Sequence, residues 1–323
     1  MDKICVIKTG GTIGSVASSG VISLDKSNLS DISSLYNGKE AVEFDVFSPF
    51  FILSENISAG NMQDIYKFLK TLDTTKYKGI VLTHGTDTLA FTACYLSVML
   101  ENFPLPVVIA SANYPLEYPH SNGKTNFSCG VEFILHSCES GIFVAYENPT
   151  DECTIHRGDL VLQCHGAEGY FDSFDDEIVG DFFDGKFRFS RNHKLHKQKF
   201  GLAVWKKFAP NYEKIQSGNG ELSKKILPIK SVAFGDYSLF SVENCDAVLV
   251  ECFHCGTVDT ASENSILELC ARACEKNIPV ILSGASRGDI YDSVLPLSKF
   301  KNVHLFQGSF EMAYMLACLG AWE

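Results

Sequence analysis

Two short stretches of this 323-residue chain place hydroxyls, glycines and a carboxylate directly behind apolar runs. The first is Lys8-Thr9-Gly10-Gly11-Thr12-Ile13-Gly14, entered from Ile4–Ile7. The second is Thr83-His84-Gly85-Thr86-Asp87-Thr88, entered from Ile80–Leu82. Glycines after a buried strand allow a sharp turn and bring bare N–H groups close to a ligand. A threonine hydroxyl beside them is a nucleophile once its surroundings polarise it, and a carboxylate offers an acceptor for a cation or a proton. Neither stretch is a phosphate-binding loop, because no Gly-Lys-Ser/Thr follows and the GxGxxG spacing is absent. Taken alone, each stretch is equally readable as a tight βα turn: Thr is a common cap, and Asp87 and Thr88 suit the start of a helix near Leu89. His84 alone reads as a hydrogen-bonded structural histidine. The pairing of two such loops in one chain points to a site.

The elements that would position these loops are legible as alternating strands and helices. Apolar runs at Ile4–Ile7, Val42–Val46, Ile80–Leu82, Val107–Ala110, Ile142–Ala145, Val248–Glu251 and Val280–Leu282 predict strands. Several are apolar without alternation, as in parallel strands covered on both faces. Helices are predicted at Gly60–Leu72, Thr88–Leu100, Asn126–Ser137 and Ala261–Lys276, the last with an apolar face through Ile266, Leu267, Leu269, Cys270, Ala273 and Cys274. In an open parallel sheet, ligands gather at the carboxyl ends of strands where the strand order reverses. The fold class is therefore α/β: a larger N-terminal, mostly parallel α/β domain at 1–190, a linker at 191–225, and a smaller C-terminal α/β domain at 226–323. The polar linker stretch Arg191–Lys225 carries Ser217-Gly-Asn-Gly220, and a strand is expected at Gly201–Trp205.

Composition narrows the function. Lys and Arg total 27 against 39 Asp and Glu, for a net charge of −12, which disfavours a nucleic-acid backbone as partner. The basic run Arg188–Lys199 lacks interleaved aromatics beyond Phe189 and reads as a solvated connection. No stretch approaches the ~18 apolar residues of a membrane span, and no export signal precedes the first strand, so a cytoplasmic location is expected. The 12 cysteines then read as reduced, mostly buried thiols. One Cys252-Phe-His-Cys255 pair without a second pair is a weak metal signal. No metal or cofactor is expected.

Thr-Gly-Gly-Thr-Ile at 9–13 and Thr-His-Gly-Thr-Asp-Thr at 83–88, with Ser54-Glu55 between them, resemble the signatures of bacterial-type L-asparaginases. Ala112-Asn-Tyr-Pro115, Ser121-Asn-Gly123 and Asn126-Phe127 extend the likeness over essentially the whole chain. The resemblance implies a two-domain α/β amidohydrolase of asparagine catabolism, assembled as a homodimer or homotetramer. It would release ammonia from a small amino-acid amide. It further implies that Thr12 is the nucleophile and Thr86 the second catalytic threonine. Asp87 would be a catalytic acid that also grips the substrate α-amino group, and Ser54 the ligand of its α-carboxylate. Glu55 stands where relatives often carry Gln. Backbone amides around Gly11 and Thr86 would face the oxyanion, each well-placed donor contributing about 3 kcal/mol, and Gly11 and Gly85, with Ser54 and Glu55, would line the bound substrate.

Two departures stand out. Many relatives set a lysine against the Thr–Asp pair; alignment puts Gln163 there, and no lysine occurs between Lys124 and Lys186. His165, His156 and Arg157 are the nearby candidates, Arg157 a poor base because it stays charged. Relatives also carry a tyrosine in the loop after Thr12, whereas Gly14–Ser23 has none; its Ser, Gly and Ala residues suit a hinged lid. Tyr36 lies downstream without a register that brings it in. His254-Cys-Gly-Thr257 reads either as a reach into a neighbouring subunit's pocket or as a plain βα turn. Three functions compete: asparagine hydrolysis, an amidase for another amide or an ammonia-supplying transamidation subunit, and an amino-acid-binding regulatory protein with little turnover. A start directly on the first strand counts against transamidation.

Overall fold

The computed structural model describes residues 1–25, 32–149, 151–183, 186–191, 202–284 and 291–323. Contacts divide the chain into Met1–Gly201 and Leu202–Glu323. The first unit is built on an eight-stranded sheet. Its strands β1 (Asp2–Lys8), β4 (Val42–Phe47), β5 (Gly79–Thr83), β6 (Pro106–Ala110) and β7 (Gly141–Glu147) run parallel in the spatial order β4-β1-β5-β6-β7. β5 and β6 are buried along their whole length, and Ile4–Ile7 are 0% exposed in β1, as the unbroken apolar runs predict. The chain visits β1, then β4 on one side, then β5 on the other, so the order reverses between β1 and β5. That reversal is the topological switch point, where βα loops diverge and leave a crevice.

Helices α1 (Ala59–Thr71), α2 (Leu89–Met99) and α3 (Gly123–His136) connect the parallel strands. Ser58 opens α1 with a reciprocal capping box to Asn61, which satisfies amides that have no partner inside the helix. Ten of the eleven residues of α2 are buried, so its sequence carries no amphipathic stripe. α3 lays Phe127, Val131 and Ile134 in the same core cluster as Val81, Val108 and Ala145. Beyond β7 the sheet turns antiparallel through β8 (Cys153–Arg157), β9 (Ile178–Phe183) and β10 (Lys186–Phe189).

The loop expected to form a lid is a β-hairpin, β2 (Ser15–Ser18) with β3 (Val21–Leu24). Its two turn residues, Ser19 and Gly20, both have positive φ, at 51° and 79°. This is the two-residue arrangement whose twist suits a hairpin. The Ala17 N–H donates to Glu117 Oε1 at 2.6 Å. Tyr36 is turned elsewhere: its hydroxyl donates to Glu132 on α3 at 2.5 Å.

The second unit carries a four-stranded parallel sheet in sequential order: β11 (Ile226–Lys230), β12 (Ala247–Glu251), β13 (Val280–Ser283) and β14 (Val303–Phe306). Its longer helices are α5 (Ile266–Glu275) and α6 (Phe310–Cys318), after the short α4 (Tyr212–Gln216). Pro228 sits on the edge strand β11, where a missing N–H costs little. The segment 202–225, read from sequence as connection, belongs by its contacts to this unit. Where a strand was expected at Gly201–Trp205, Leu202–Lys207 is a 3-10 helix. Trp205 is fully buried and stacks on Phe306 at 5.2 Å, a tertiary contact that decides its conformation. Residues 192–201, and with them most of the basic run Arg188–Lys199, lie outside the described residues.

All twelve cysteines are free. Burial pushes the Cys252 thiol up to about 12, and Cys255 Sγ lies 3.1 Å from Thr257 Oγ1 inside the turn after β12. Among the described residues no three His, Cys, Asp or Glu side chains group as a metal site, and no helix is long and apolar enough to cross a membrane.

Candidate functional site

Lys8 of β1 pairs with Thr83 of β5, so both polar loops leave the sheet side by side at the switch point. The Thr9 hydroxyl donates to the Thr83 carbonyl at 2.7 Å and ties the two strand ends together. Gly10 and Gly11 both have positive φ, 105° and 74°, a region that L side chains enter at a cost. They also lack room: a Cβ on Gly10 would strike the Ile52 main chain, and one on Gly11 the Gly85 main chain. A Cβ on Gly85 would in turn strike Ser54. Three segments distant in sequence thus meet through glycine surfaces, and Thr12 and Thr86 each stand one residue, about 3.8 Å of chain, from the Gly11–Gly85 contact.

Ser54 opens a 3-10 turn, Ser54–Asn56, and is 4% exposed. Its hydroxyl donates to Asp87 Oδ2 at 3.1 Å and accepts from the Asp87 N–H at 3.2 Å. Thr88 Oγ1 donates to the Ser54 carbonyl at 2.9 Å. The bonds therefore lock Asp87 to Ser54 at both side chain and main chain, while Asp87 itself is exposed and Thr86 half-buried. Thr12, also half-buried, takes no hydrogen bond among the described residues other than the bond its carbonyl accepts from Ser15. Glu55 is exposed on the same turn as Ser54.

The Gly11 N–H donates to the Ile52 carbonyl at 2.9 Å, and the Ile52 N–H to the Thr9 carbonyl at 2.9 Å. Gly11 therefore contributes clearance and not an oxyanion donor. No side-chain pattern in the sequence announces this bridge. His84 is 1% exposed and bound on both ring nitrogens, to the Gly85 carbonyl at 2.8 Å and Thr92 Oγ1 at 3.0 Å. Burial holds its pKa below the ordinary histidine value. Its role is structural: it braces the loop against α2.

A hairpin after β8, running from Val161 to Ser173, brings Gln163 to the loop, where its side-chain amide donates to the Asp87 carbonyl. The three other candidates nearby are placed differently. His156 is 2% exposed with Nδ1 at 2.8 Å from Ser173 Oγ, and burial lowers its pKa to about 4. Arg157 forms a two-pronged bond to Asp159, at 2.9 and 2.6 Å. His165 is exposed, 2.7 Å from Asp172 and stacked on Tyr170.

The motif residues around α3 act as scaffold. Asn113 and Asn122 exchange main-chain to side-chain bonds at 2.9 and 3.1 Å, and Asn122 Nδ2 donates to the Glu147 carbonyl at 2.8 Å. Asn126 bridges the Ser111 carbonyl and the Glu147 N–H, both at 2.8 Å, and so fixes the ends of β6 and β7 to the helix. In the second unit, His254–Thr257 is a closed turn, with Phe253 N–H bound to the Thr257 carbonyl at 2.9 Å and Gly256 N–H to the Phe253 carbonyl at 2.7 Å.

Fold and site together define a member of a known family. Residues 3–195 match the family description "Asparaginase, N-terminal", and the chain belongs to this asparaginase family of amidohydrolases. Among solved structures it is similar to the thermostable L-asparaginase of Thermococcus kodakarensis, with a TM-score of 0.76 at 20% identity over 99% of this chain and 93% of that one. It is also similar to L-asparaginase I of Vibrio cholerae, with a TM-score of 0.72 at 19% identity over 97% and 90%. These likenesses establish the fold. By sequence it is similar to the D-type subunit of the glutamyl-tRNA(Gln) amidotransferase of Methanosarcina mazei, 27% identical over 168 residues, which is 51% of this chain and 39% of that protein. The Pyrococcus furiosus counterpart is 28% identical over 204 residues, 59% of this chain and 45% of its own length. The chain thus spans less than half the length of these curated relatives.

Proposed function

We propose that this protein hydrolyses the side-chain amide of L-asparagine to L-aspartate and ammonia, as a cytoplasmic homodimer or homotetramer. The observation that supports the reading is the convergence of Gly11, Gly85 and Ser54 at the switch point, with Thr12 and Thr86 each next in the chain to one of those glycines and Ser54 bonded to Asp87. In this reading Thr12 Oγ bonds to the amide carbon, the C–N bond breaks, and the hydroxyl proton leaves with the nitrogen as ammonia. Water then cleaves the threonyl ester and restores the Thr12 hydroxyl. Asp87 accepts from the substrate ammonium, and Ser54 orients Asp87 by accepting from its N–H while its single hydroxyl proton turns from Asp87 Oδ2 to the substrate carboxylate. Thr86 completes the second cluster. Glu55, exposed at the rim, would set charge at the entrance, and Gly11 and Gly85 let the backbones approach.

Ammonia release from L-asparagine tests this. Thr12→Ala and Thr86→Val are each expected to lower turnover at least about 10³-fold without loss of thermal stability. Activity that survives Thr12→Ala sinks the nucleophile assignment. A second reading, release of amide nitrogen from glutamine for transfer to a partner, is favoured by the relatives named as amidotransferase subunits. It predicts turnover of L-glutamine above L-asparagine. Saturable binding of either amino acid without ammonia release would instead mark a regulatory binding protein.

A further inference from the structure

The 161–173 hairpin has little reason of its own to approach the Thr83–Thr88 loop. Its strands are tied to one another, with Leu162 N–H on the Asp172 carbonyl at 2.9 Å and His165 and Tyr170 exchanging main-chain bonds at 3.0 and 2.8 Å. His156 is bound to Ser173, Arg157 to Asp159, and His165 to Asp172. Gln163 sends a side-chain bond out of the hairpin, and that bond ends on the Asp87 carbonyl. The adjacent Cys164 thiol is raised to about 11, first by burial and then by the nearby charge of Asp87.

Asp87 is thereby held at three points. Ser54 takes its N–H and one carboxylate oxygen, and Gln163 takes its carbonyl. The two Ser54 bonds share one hydroxyl, and neither reaches the Asp87 carbonyl. A donor on the carbonyl restrains the residue at a further atom.

We propose that Gln163 is the positioning residue for the substrate-ammonium contact: by holding the Asp87 carbonyl it aims the Asp87 carboxylate at the α-amino group. This rests on the amidase reading above, and it assigns Gln163 to specificity for α-amino acids and not to the bond-breaking step.

Gln163→Met keeps the length and removes the donor, whereas Gln163→Lys keeps a donor at similar reach. KM and kcat are measured with L-asparagine and with succinamate, the same amide without the α-amino group, used as a competitive inhibitor if it does not turn over. Main-chain hydrogen exchange is followed over residues 83–88. Gln163→Met is expected to raise KM for asparagine about tenfold, the loss of roughly one hydrogen bond's worth of aim, with kcat within about threefold. Succinamate is expected to change less than about twofold, exchange at 86–88 to quicken, and Gln163→Lys to bring both back toward wild type. Equal losses on both compounds, or an unchanged KM in active protein, overturn the proposal. If the wild-type protein releases no ammonia, the amidase reading fails on its own account. Unchanged exchange in Gln163→Met then overturns the positioning role independently. Gln163→Asn, one methylene too short to reach, replaces Met if that variant does not fold and is held to the same outcomes.

Discussion

Two turns in this protein share a local recipe and differ in consequence. Behind β1 and β5, buried strands end in glycine and threonine, and so does β12, followed by His254-Cys-Gly-Thr257. In the second unit the strands follow one another in order from β11 to β14. Without a reversal, no crevice opens between neighbouring loops, and the β12 turn closes on itself through Phe253, Gly256 and Thr257. In the first unit the order reverses between β1 and β5, and the loops satisfy one another across the gap: Thr9 on Thr83, Ser54 on Asp87, Thr88 on Ser54. Residue type makes a loop capable of chemistry, and topology decides whether it has a neighbour to do it with.

The contrast can be broken most directly at Gly11. Gly11→Ala puts a methyl group into the Gly85 main chain at a positive φ, a combination of steric overlap and backbone strain costing about 2–4 kcal/mol. Chemical unfolding should show that loss, and ammonia release should fall to background even in the protein that remains folded. A folded Gly11→Ala variant with near-normal turnover would mean that the two loops need not touch. The pH dependence sharpens the comparison at middle magnitude. His156 is buried with a pKa of about 4 against 6.5 in the unfolded chain, so between those values the unfolded state binds more protons. Stability is then full above about pH 6.5 and falls as the pH drops toward 4, by about 3 kcal/mol from this residue. His156→Gln should flatten urea-denaturation midpoints measured across that window. Smallest is the effect expected at the closed turn: Cys255→Ser should change stability by less than about 0.5 kcal/mol and leave ammonia release alone. A large drop in ammonia release would give that turn a part in the site after all.

The parallel strands and their helices are legible because each carries its own signal: an unbroken apolar run at β5 or β6, and a helical apolar face at α5. Thr12, Ser54, Thr86 and Asp87 are legible because side-chain chemistry and motif spacing name them. What stays hidden depends on partners far along the chain. Ile52 contributes only its main chain to Gly11 and Thr9, and a main-chain group leaves no mark in a side-chain pattern. The hairpin at Ser15–Leu24 hides behind small polar residues until Ser19 and Gly20 adopt positive φ. Trp205 reads as strand because Gly201–Trp205 is apolar, yet its stacking on Phe306 about a hundred positions away overrides local preference. Alignment sets Gln163 against the Thr86–Asp87 pair, but its partner, a carbonyl, is invisible to any side-chain pattern.

The antiparallel extension from β8 onward has a bearing on how this protein acquires any activity. Asp87 receives a restraint from a side chain 76 positions downstream, on a hairpin that follows the β7–β8 pair along the chain. Contacts of such separation form late and slowly. In the amidase reading, a chain that has not yet paired β7 with β8 would lack this restraint on Asp87 and bind asparagine more weakly, so affinity for substrate would report on completion of the sheet.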